Sequence, residues 1–466
     1  MRRLPILLLF VTGCSVGPNY RPPKIASPSQ WETGTNAAPP VVEWWKTFND
    51  SELNSLVSRA VAANHDLRIA EARLREARAL RGSALWDFAP TITGAAGYTD
   101  AQRAPNAQSF VVTTLHTDLY DAHFDARWEI DIFGGKRREL ESANAQLAGL
   151  DEDRRDVLVS VLAEVARNYV ELRGFQQRLA IANKNIKAQT EAVEIARARF
   201  NAGLTSELDV KQAESLLATT QAQLPALETS VTQSIHRLGV LVGQLPEALT
   251  AELAPEAGIP VTPPNVPVGL PSDLLRRRPD VRRAERQLAS ATADIGVETA
   301  ELFPKFSLIG TGGFQSLSAS EWFEPGGKYW SAGPTVTWRL LDFGRIRAQI
   351  KAANARQQQA LAAYEKTVLT SFEDVENALV AYANERVRYR SLNEAVSANR
   401  RALELANELY TKGLGDFLNV LEAERSLYQT EDQLVDSERA VTANLVALYK
   451  ALGGGWENSY AVVQAK

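Results

Sequence analysis

Asp121-Ala122-His123-Phe124-Asp125-Ala126-Arg127-Trp128-Glu129-Ile130-Asp131-Ile132 alternates without a break between polar odd positions and apolar even ones. A period of two places every apolar side chain on one face of a β-strand. Ile92 to Tyr98, Phe306 to Phe314 and Trp330 to Leu340 carry weaker versions, which predicts four strands per chain. A sheet with one charged and one apolar, aromatic face suits a barrel wall between lipid and water. The same alternation also occurs in half-buried sheets of soluble α+β domains. Four strands cannot close a barrel, and open edges are not tolerated in lipid. Two chains would supply eight strands and an interior filled by side chains, whereas three would supply twelve and leave room for passage. The expectation is a trimer.

After the second strand of each pair the period changes to seven. Leu158, Val165, Leu172, Leu179, Ile186, Val193 and Phe200 are spaced by sevens, as are Val368, Val375, Tyr382, Tyr389, Val396, Leu403 and Tyr410. Such a seam marks a coiled coil. It resumes beyond glycines as Val210, Leu217, Leu224 and Val420, Leu427, Leu434, so each run predicts a helical hairpin. A helix from Glu139 to Phe200 would be about 90 Å long, more than a compact domain needs. Pro225 should kink the first returning helix, whereas its counterpart Val435 should not.

The chain is an internal two-fold repeat. Setting Trp128 on Trp338, an offset of 210, aligns Phe133-Gly134 with Phe343-Gly344, Gly203-Leu204 with Gly413-Leu414 and Ala213-Glu214 with Ala423-Glu424. Upstream the offset is 214, pairing Asp66 with Asp280 and Pro90 with Pro304. Repeat 1 spans 51–254 and repeat 2 spans 272–455. Each opens with a helix, Ser51 to Leu85 and Pro279 to Leu302, continues through two strands and ends in the long hairpin. Pro-rich residues 255–271 predict an extended linker, and 456–466 a tail.

The start reads as a secretory signal, with Met1-Arg2-Arg3 before the apolar run Leu4 to Val11. Val11-Thr12-Gly13-Cys14 resembles the lipobox of bacterial lipoproteins, which implies removal of 1–13 and lipid on Cys14, the only cysteine. Residues 14–50 would then form a lipid-anchored extended segment. In those lipoproteins an Asp after the Cys argues for inner-membrane retention, so Ser15 favours the outer membrane. Beyond the signal no stretch approaches the ~20 apolar residues of a spanning helix, so any spanning structure must be a barrel. A net charge of −5 gives no basic excess for nucleic acid.

These elements in this order resemble the TolC-like outer membrane factors, within them the NodT and OprM type of lipoprotein. Trp44-Trp45-Lys46-Thr47-Phe48 with Asn64-His65-Asp66-Leu67 looks like their amino-terminal signature. Leu270-Pro271-Ser272-Asp273-Leu274-Leu275 through Arg278-Pro279-Asp280-Val281 to Ala284-Glu285 looks like their internal motif, and Phe303-Pro304 continues the match. The resemblance covers essentially the whole mature chain. It implies an α+β membrane protein of the trimeric TolC-like fold: a shared twelve-stranded barrel in the outer membrane continued by a coiled-coil helical barrel across the periplasm. It implies the outer-membrane channel of a tripartite efflux system, docked on a periplasmic adaptor and an inner-membrane transporter of the RND type that supplies the work. No cofactor is implied beyond the lipid on Cys14.

The hairpin turns are the far ends of such a tube. Gly203, Leu204, Leu208 and Val210, with Gly413, Leu414, Leu418 and Val420, resemble the family's periplasmic tips, which meet the adaptor. Gate residues implied by the resemblance are Asp209, Tyr410, Asp416, Asn419 and Glu422. Tyr410 matches a tyrosine of the closed state. Asn419 and Glu422 align with a pair of carboxylates ringing the constriction in TolC, and here only Glu422 is acidic. Three copies of Glu422 near an axis would repel one another and attract cations; a solvated helix face has the same pattern. The arginine that partners the gate tyrosine in TolC is replaced by Gly415.

Enzymatic chemistry has no foothold. His65, His116, His123 and His236 make no metal-ligand spacing. Gly134-Gly135-Lys136 lacks the rest of a phosphate loop, and Asp342-Phe343-Gly344 lacks a catalytic loop before it. No methionine series suggests a soft-metal route, since the only methionine is Met1. Two other readings share parts of the pattern. A self-sufficient porin would not need glycine-bearing tips on long helices, and a lipid-tethered periplasmic scaffold or adaptor would leave the strands unexplained.

Overall fold

A computed structural model of the chain describes residues 15–32, 41–102, 116–263 and 266–457. Cys14, the expected signal 1–13 and most of the expected tail lie outside them. The described elements are helices α1 (Ser51–Ala63) and α2 (His65–Trp86), strands β1 (Thr91–Gln102) and β2 (His116–Ile130), and helices α3 (Gly135–Asn201), α4 (Glu207–Gln221), α5 (Leu224–Leu241) and α6 (Thr250–Leu253). There follow α7 (Pro271–Arg277), α8 (Pro279–Ala300), strands β3 (Lys305–Ser316) and β4 (Lys328–Thr337), and helices α9 (Phe343–Thr411) and α10 (Phe417–Ala451). The chain divides into two compact units. Met1–Lys24, Arg73–Leu150 and Arg283–Tyr364 form one, and Ile25–Ala72, Asp151–Arg282 and Glu365–Lys466 form the other.

The first unit holds the sheet, antiparallel in the order β1-β2-β3-β4. Its register stacks Gly94, Phe124, Gly312 and Trp330 across the four strands, and Trp128 pairs with Leu308. The even-numbered face is apolar from Ile92 to Tyr98, Ala122 to Ile130, Phe306 to Phe314 and Trp330 to Val336, and turns polar at its far end, where Asp100 pairs with Asp118, Gln102 with His116 and Lys328 with Phe314. Ile92, Tyr98, Phe124, Trp128, Leu308, Trp330 and Val336 on it are exposed in the protomer. The odd face satisfies its own polar groups: Tyr329 Oη donates to Asp121 at 2.8 Å, Thr311 Oγ1 donates to Asp125 at 2.6 Å, and His123 lies between those two carboxylates. Among the described residues no helix is long and apolar enough to cross a membrane.

The second unit is built around helices. Its main core joins Trp44, Trp45 and Phe48, from a single helical turn, to Leu53 and Leu56 of α1, Leu162, Tyr169 and Leu172 of α3, Leu238 of α5 and Leu445 and Tyr449 of α10. Trp44 stacks on Tyr449 with ring centroids 5.3 Å apart. The Trp-Trp signature is thus a packing device. The internal motif is another: Arg278 holds Asp280 through two bonds, reaches Asp374 at 2.9 Å and caps the Ala451 carbonyl at 3.1 Å.

The single helix expected over Ser51 to Leu85 is two helices. Asn64 between them is extended, and its buried amide donates to the Leu241 carbonyl while its side-chain oxygen accepts from the Asp66 and Leu67 amides. Such a cap starts α2 afresh. The first hairpin's returning strand of helix is broken near Pro225, into α4 and α5, whereas α10 runs without interruption past Val435.

Candidate functional site

Both hairpin tips are built by one backbone device. At the end of α3 the Gly203 amide bonds to the Phe200 carbonyl and the Leu204 amide to the Arg199 carbonyl, both at 2.9 Å; at the end of α9 Gly413 bonds to Tyr410 at 3.0 Å and Leu414 to Leu409 at 2.9 Å. This pair of bonds closes a helix when the residue past its end is left-handed. Gly203 and Gly413 have φ of +71° and +74°, and a Cβ on either would meet nothing within 4 Å. Backbone conformation, not space, requires glycine there.

Beneath the turns lies a separate apolar cluster: Val193 and Ala196 of α3, Val210 and Ala213 of α4, Tyr410 of α9, and Phe417, Val420 and Leu421 of α10. Val210 and Val420 therefore face inward between the helices. Leu204, Leu208, Leu414 and Leu418 do the opposite, being 68, 63, 74 and 58% exposed. Four bare leucines on two neighbouring turns form an apolar surface of the kind that marks an interaction site.

Tyr410 sits at the junction of the cluster and the charges. Its ring packs on Phe417 with centroids 5.1 Å apart, and the Arg199 guanidinium lies over the Tyr410 ring, Cζ 4.3 Å from its centroid. Arg199 also donates to the Tyr410 carbonyl at 3.4 Å. Burial pushes the Tyr410 phenol up; Arg199 opposes this and Asp209 adds to it. Asp209 accepts a hydrogen bond from Thr205 in its own turn. Asp416 occupies the position before α10 without capping it through its side chain, and Gly415 packs so that a Cβ would lie 3.2 Å from Leu409 Cβ.

Asn419 and Glu422 are exposed one turn apart on α10, and Glu422 pairs with Arg425 at 2.8 Å. Arg199 and Arg425 are thus the charged neighbours that the sequence reading did not single out. Arg425 was visible as an i, i+3 partner of Glu422. Arg199 was not, because Tyr410 lies in the other hairpin. Phe200, which aligns with Tyr410, is 42% exposed, so the two seams end differently.

Among the described residues no cluster of His, Cys, Asp and Glu could hold a metal. The tips set an apolar outer surface, Leu204, Leu208, Leu414 and Leu418, over a packed junction of the helices beneath.

Comparison with known proteins agrees. The model of the outer membrane efflux protein family matches residues 56–244 and 270–454. The chain is 33% identical to Nodulation protein T of Rhizobium leguminosarum bv. trifolii over 464 residues, 97% of each chain. It is 31% identical to the pyoverdine export outer membrane protein OpmQ of Pseudomonas aeruginosa, over 97% of this chain and 96% of that one. Among solved structures, the outer-membrane channel OprN superposes with a TM-score of 0.89 at 38% identity, covering 95% of this chain and 100% of OprN.

Proposed function

This chain belongs to the outer membrane efflux protein family, and we propose that it works as a homotrimer, anchored by lipid on Cys14, whose three sheets share one twelve-stranded barrel. It is an outer-membrane efflux channel with the TolC-like fold. Members of this family are channels, and the work of export comes from the pump they serve.

The observation that carries the trimer is the sheet. Its edge strands β1 and β4 have no partner on their outer sides within the sheet order, and one face carries an exposed apolar band from Ile92 to Tyr98, across Phe124 and Trp128, to Trp330 and Val336. A bilayer satisfies that face, and only neighbouring sheets satisfy those edges. The polar odd face then lines a lumen suited to hydrophilic passage. The hairpins carry the path into the periplasm. Leu204, Leu208, Leu414 and Leu418 receive a periplasmic adaptor, which links the tube to an inner-membrane transporter of the RND type. Tyr410, Asp209, Asp416, Asn419 and Glu422 surround the closure at the tip, with Arg199 supporting Tyr410.

Native mass spectrometry of protein extracted in detergent from outer membranes tests this reading. Three chains per complex, each beginning at Cys14 and carrying acyl mass, is the expected result. A stable monomer would overturn the shared barrel.

A further inference from the structure

We propose that the turn leading from β2 into α3, residues 132–138, is a receptor for the chain's own amino terminus, and that Arg138 is the positioning residue coupling the anchor to assembly of the sheet. The coupling rests on the lipid on Cys14 proposed above.

The described chain begins at Ser15, and its first residues are seated rather than loose. The Val16 amide donates to the Phe133 carbonyl at 3.1 Å. Arg138 is 3% exposed and donates to the Val16 carbonyl at 3.0 Å, the Gly17 carbonyl at 3.2 Å and Asn19 Oδ1 at 2.8 Å; its remaining bond goes to Glu141 at 2.7 Å. Tyr20 continues the seat by donating to Glu285 at 3.0 Å.

Three glycines make the approach possible. A Cβ on Gly134, where φ is +81°, would lie 2.8 Å from Ser15 Cα; one on Gly17, where φ is +88°, would lie 2.5 Å from Gly296 Cα; one on Gly296 would lie 2.6 Å from Arg138 Cγ. At Gly134 and Gly17 the neighbour is backbone, which cannot yield, and at Gly296 it is the buried stem of Arg138, which its four hydrogen bonds hold in place, so a side chain at any of the three would disturb the strap.

The second repeat lacks the device. Arg138 aligns with Ala348, and Gly344, the counterpart of Gly134, has open space around its Cβ position and no positive φ. The receptor is therefore not a by-product of a strand-to-helix turn.

Docking supplies three of the four acceptors of a buried guanidinium, and loss of either partner leaves the other's polar groups unmet. An acyl group on the residue before Ser15 enters the membrane beside the point where β2 leaves the sheet. The strap thus fixes where anchor and sheet meet, and by reciprocity favours the folded sheet once the anchor is seated.

The test uses the full-length chain in outer membranes, comparing Arg138→Ala, Asn19→Ala, Cys14→Ser exported behind a cleavable secretory signal, and the Cys14→Ser/Arg138→Ala double variant. Trimer resistant to detergent and acyl mass on Cys14 are both measured. Arg138→Ala is expected to keep the acyl mass and lose about tenfold in trimer, from the charged hydrogen bonds removed. Asn19→Ala is expected to lose less, and the double variant no more than the worse single one. Acylated Arg138→Ala assembling like the native chain, or losses that multiply in the double variant, would overturn the coupling alone. A native chain without acyl mass would overturn the lipid reading and the coupling with it.

Discussion

Glu214 and Glu424 hold equivalent places in the two hairpins but opposite electrostatic settings. Arg197 at 2.6 Å and Lys211 at 3.0 Å hold the Glu214 carboxyl below its usual range. At Glu424 the aligned residues are Asn407 and Leu421, which carry no charge. Glu424 Oε2 is buried without a hydrogen-bond partner among the described residues, and burial pushes its carboxyl up to about 7.

That setting predicts a tip whose cohesion depends on pH. A carboxyl raised in the folded state contributes stability that is complete below its ordinary value of 4.5 and is lost as pH rises through about 7. Hydrogen exchange at α10 amides around Glu424, corrected for intrinsic rates, should therefore be slower at pH 6 than at pH 8. Glu424→Gln should flatten the profile at the protected level. An unchanged pH dependence in that variant would remove Glu424 as its source.

Arg199 ties the first hairpin to the second by covering the Tyr410 ring and bonding its carbonyl. A partly desolvated cation over an aromatic ring contributes about 1 kcal/mol. Arg199→Ala should loosen the packing of the tip and, if the proposed closure forms there, raise single-channel conductance in planar bilayers, and Tyr410→Phe should change it less, because the Tyr410 hydroxyl makes no hydrogen bond among the described residues. Equal conductance in Arg199→Ala and native channels would count against the contact as part of the closure.

Gly413 is required by its backbone, so Gly413→Ala should cost about 1–2 kcal/mol through the left-handed conformation alone. Gly344→Ala offers the contrast, since that glycine lies near the start of α9 with open space and no positive φ. It should be neutral or slightly stabilising. Denaturation midpoints of the two variants would check the pair, and similar losses at both positions would argue against the conformational explanation.

Much of this architecture could be read from periodicity because the relevant forces act on neighbours in sequence. Alternation from Asp121 to Ile130 sets the two faces of β2, and the missing donor at Pro225 breaks a helix that Val435 leaves whole. Asn64 escaped because helical periodicity runs through it; only the Leu241 carbonyl, brought up by tertiary packing, makes its side chain worth more as a bridge than in a helix. Arg199 escaped for a similar reason, since its partner is 211 residues away. Val210 and Val420 belong to the seam as well as to the tip motif, and the seam decides where their side chains point.

The amino-terminal signature supplies a last prediction. Trp44 is 1% exposed, stacks on Tyr449 and meets Trp45 and Phe48 edge-on, so Trp44→Ala should cost about 3–5 kcal/mol. The indole nitrogen has no hydrogen-bond partner among the described residues. Trp44→Phe therefore removes volume but no polar contact, and should cost well under half as much. Denaturant midpoints followed by helical circular dichroism separate the two cases. A Phe variant as unstable as the Ala variant would mean that the full indole, through its stacking on Tyr449 and its edge contacts, and not apolar volume alone, holds this core together.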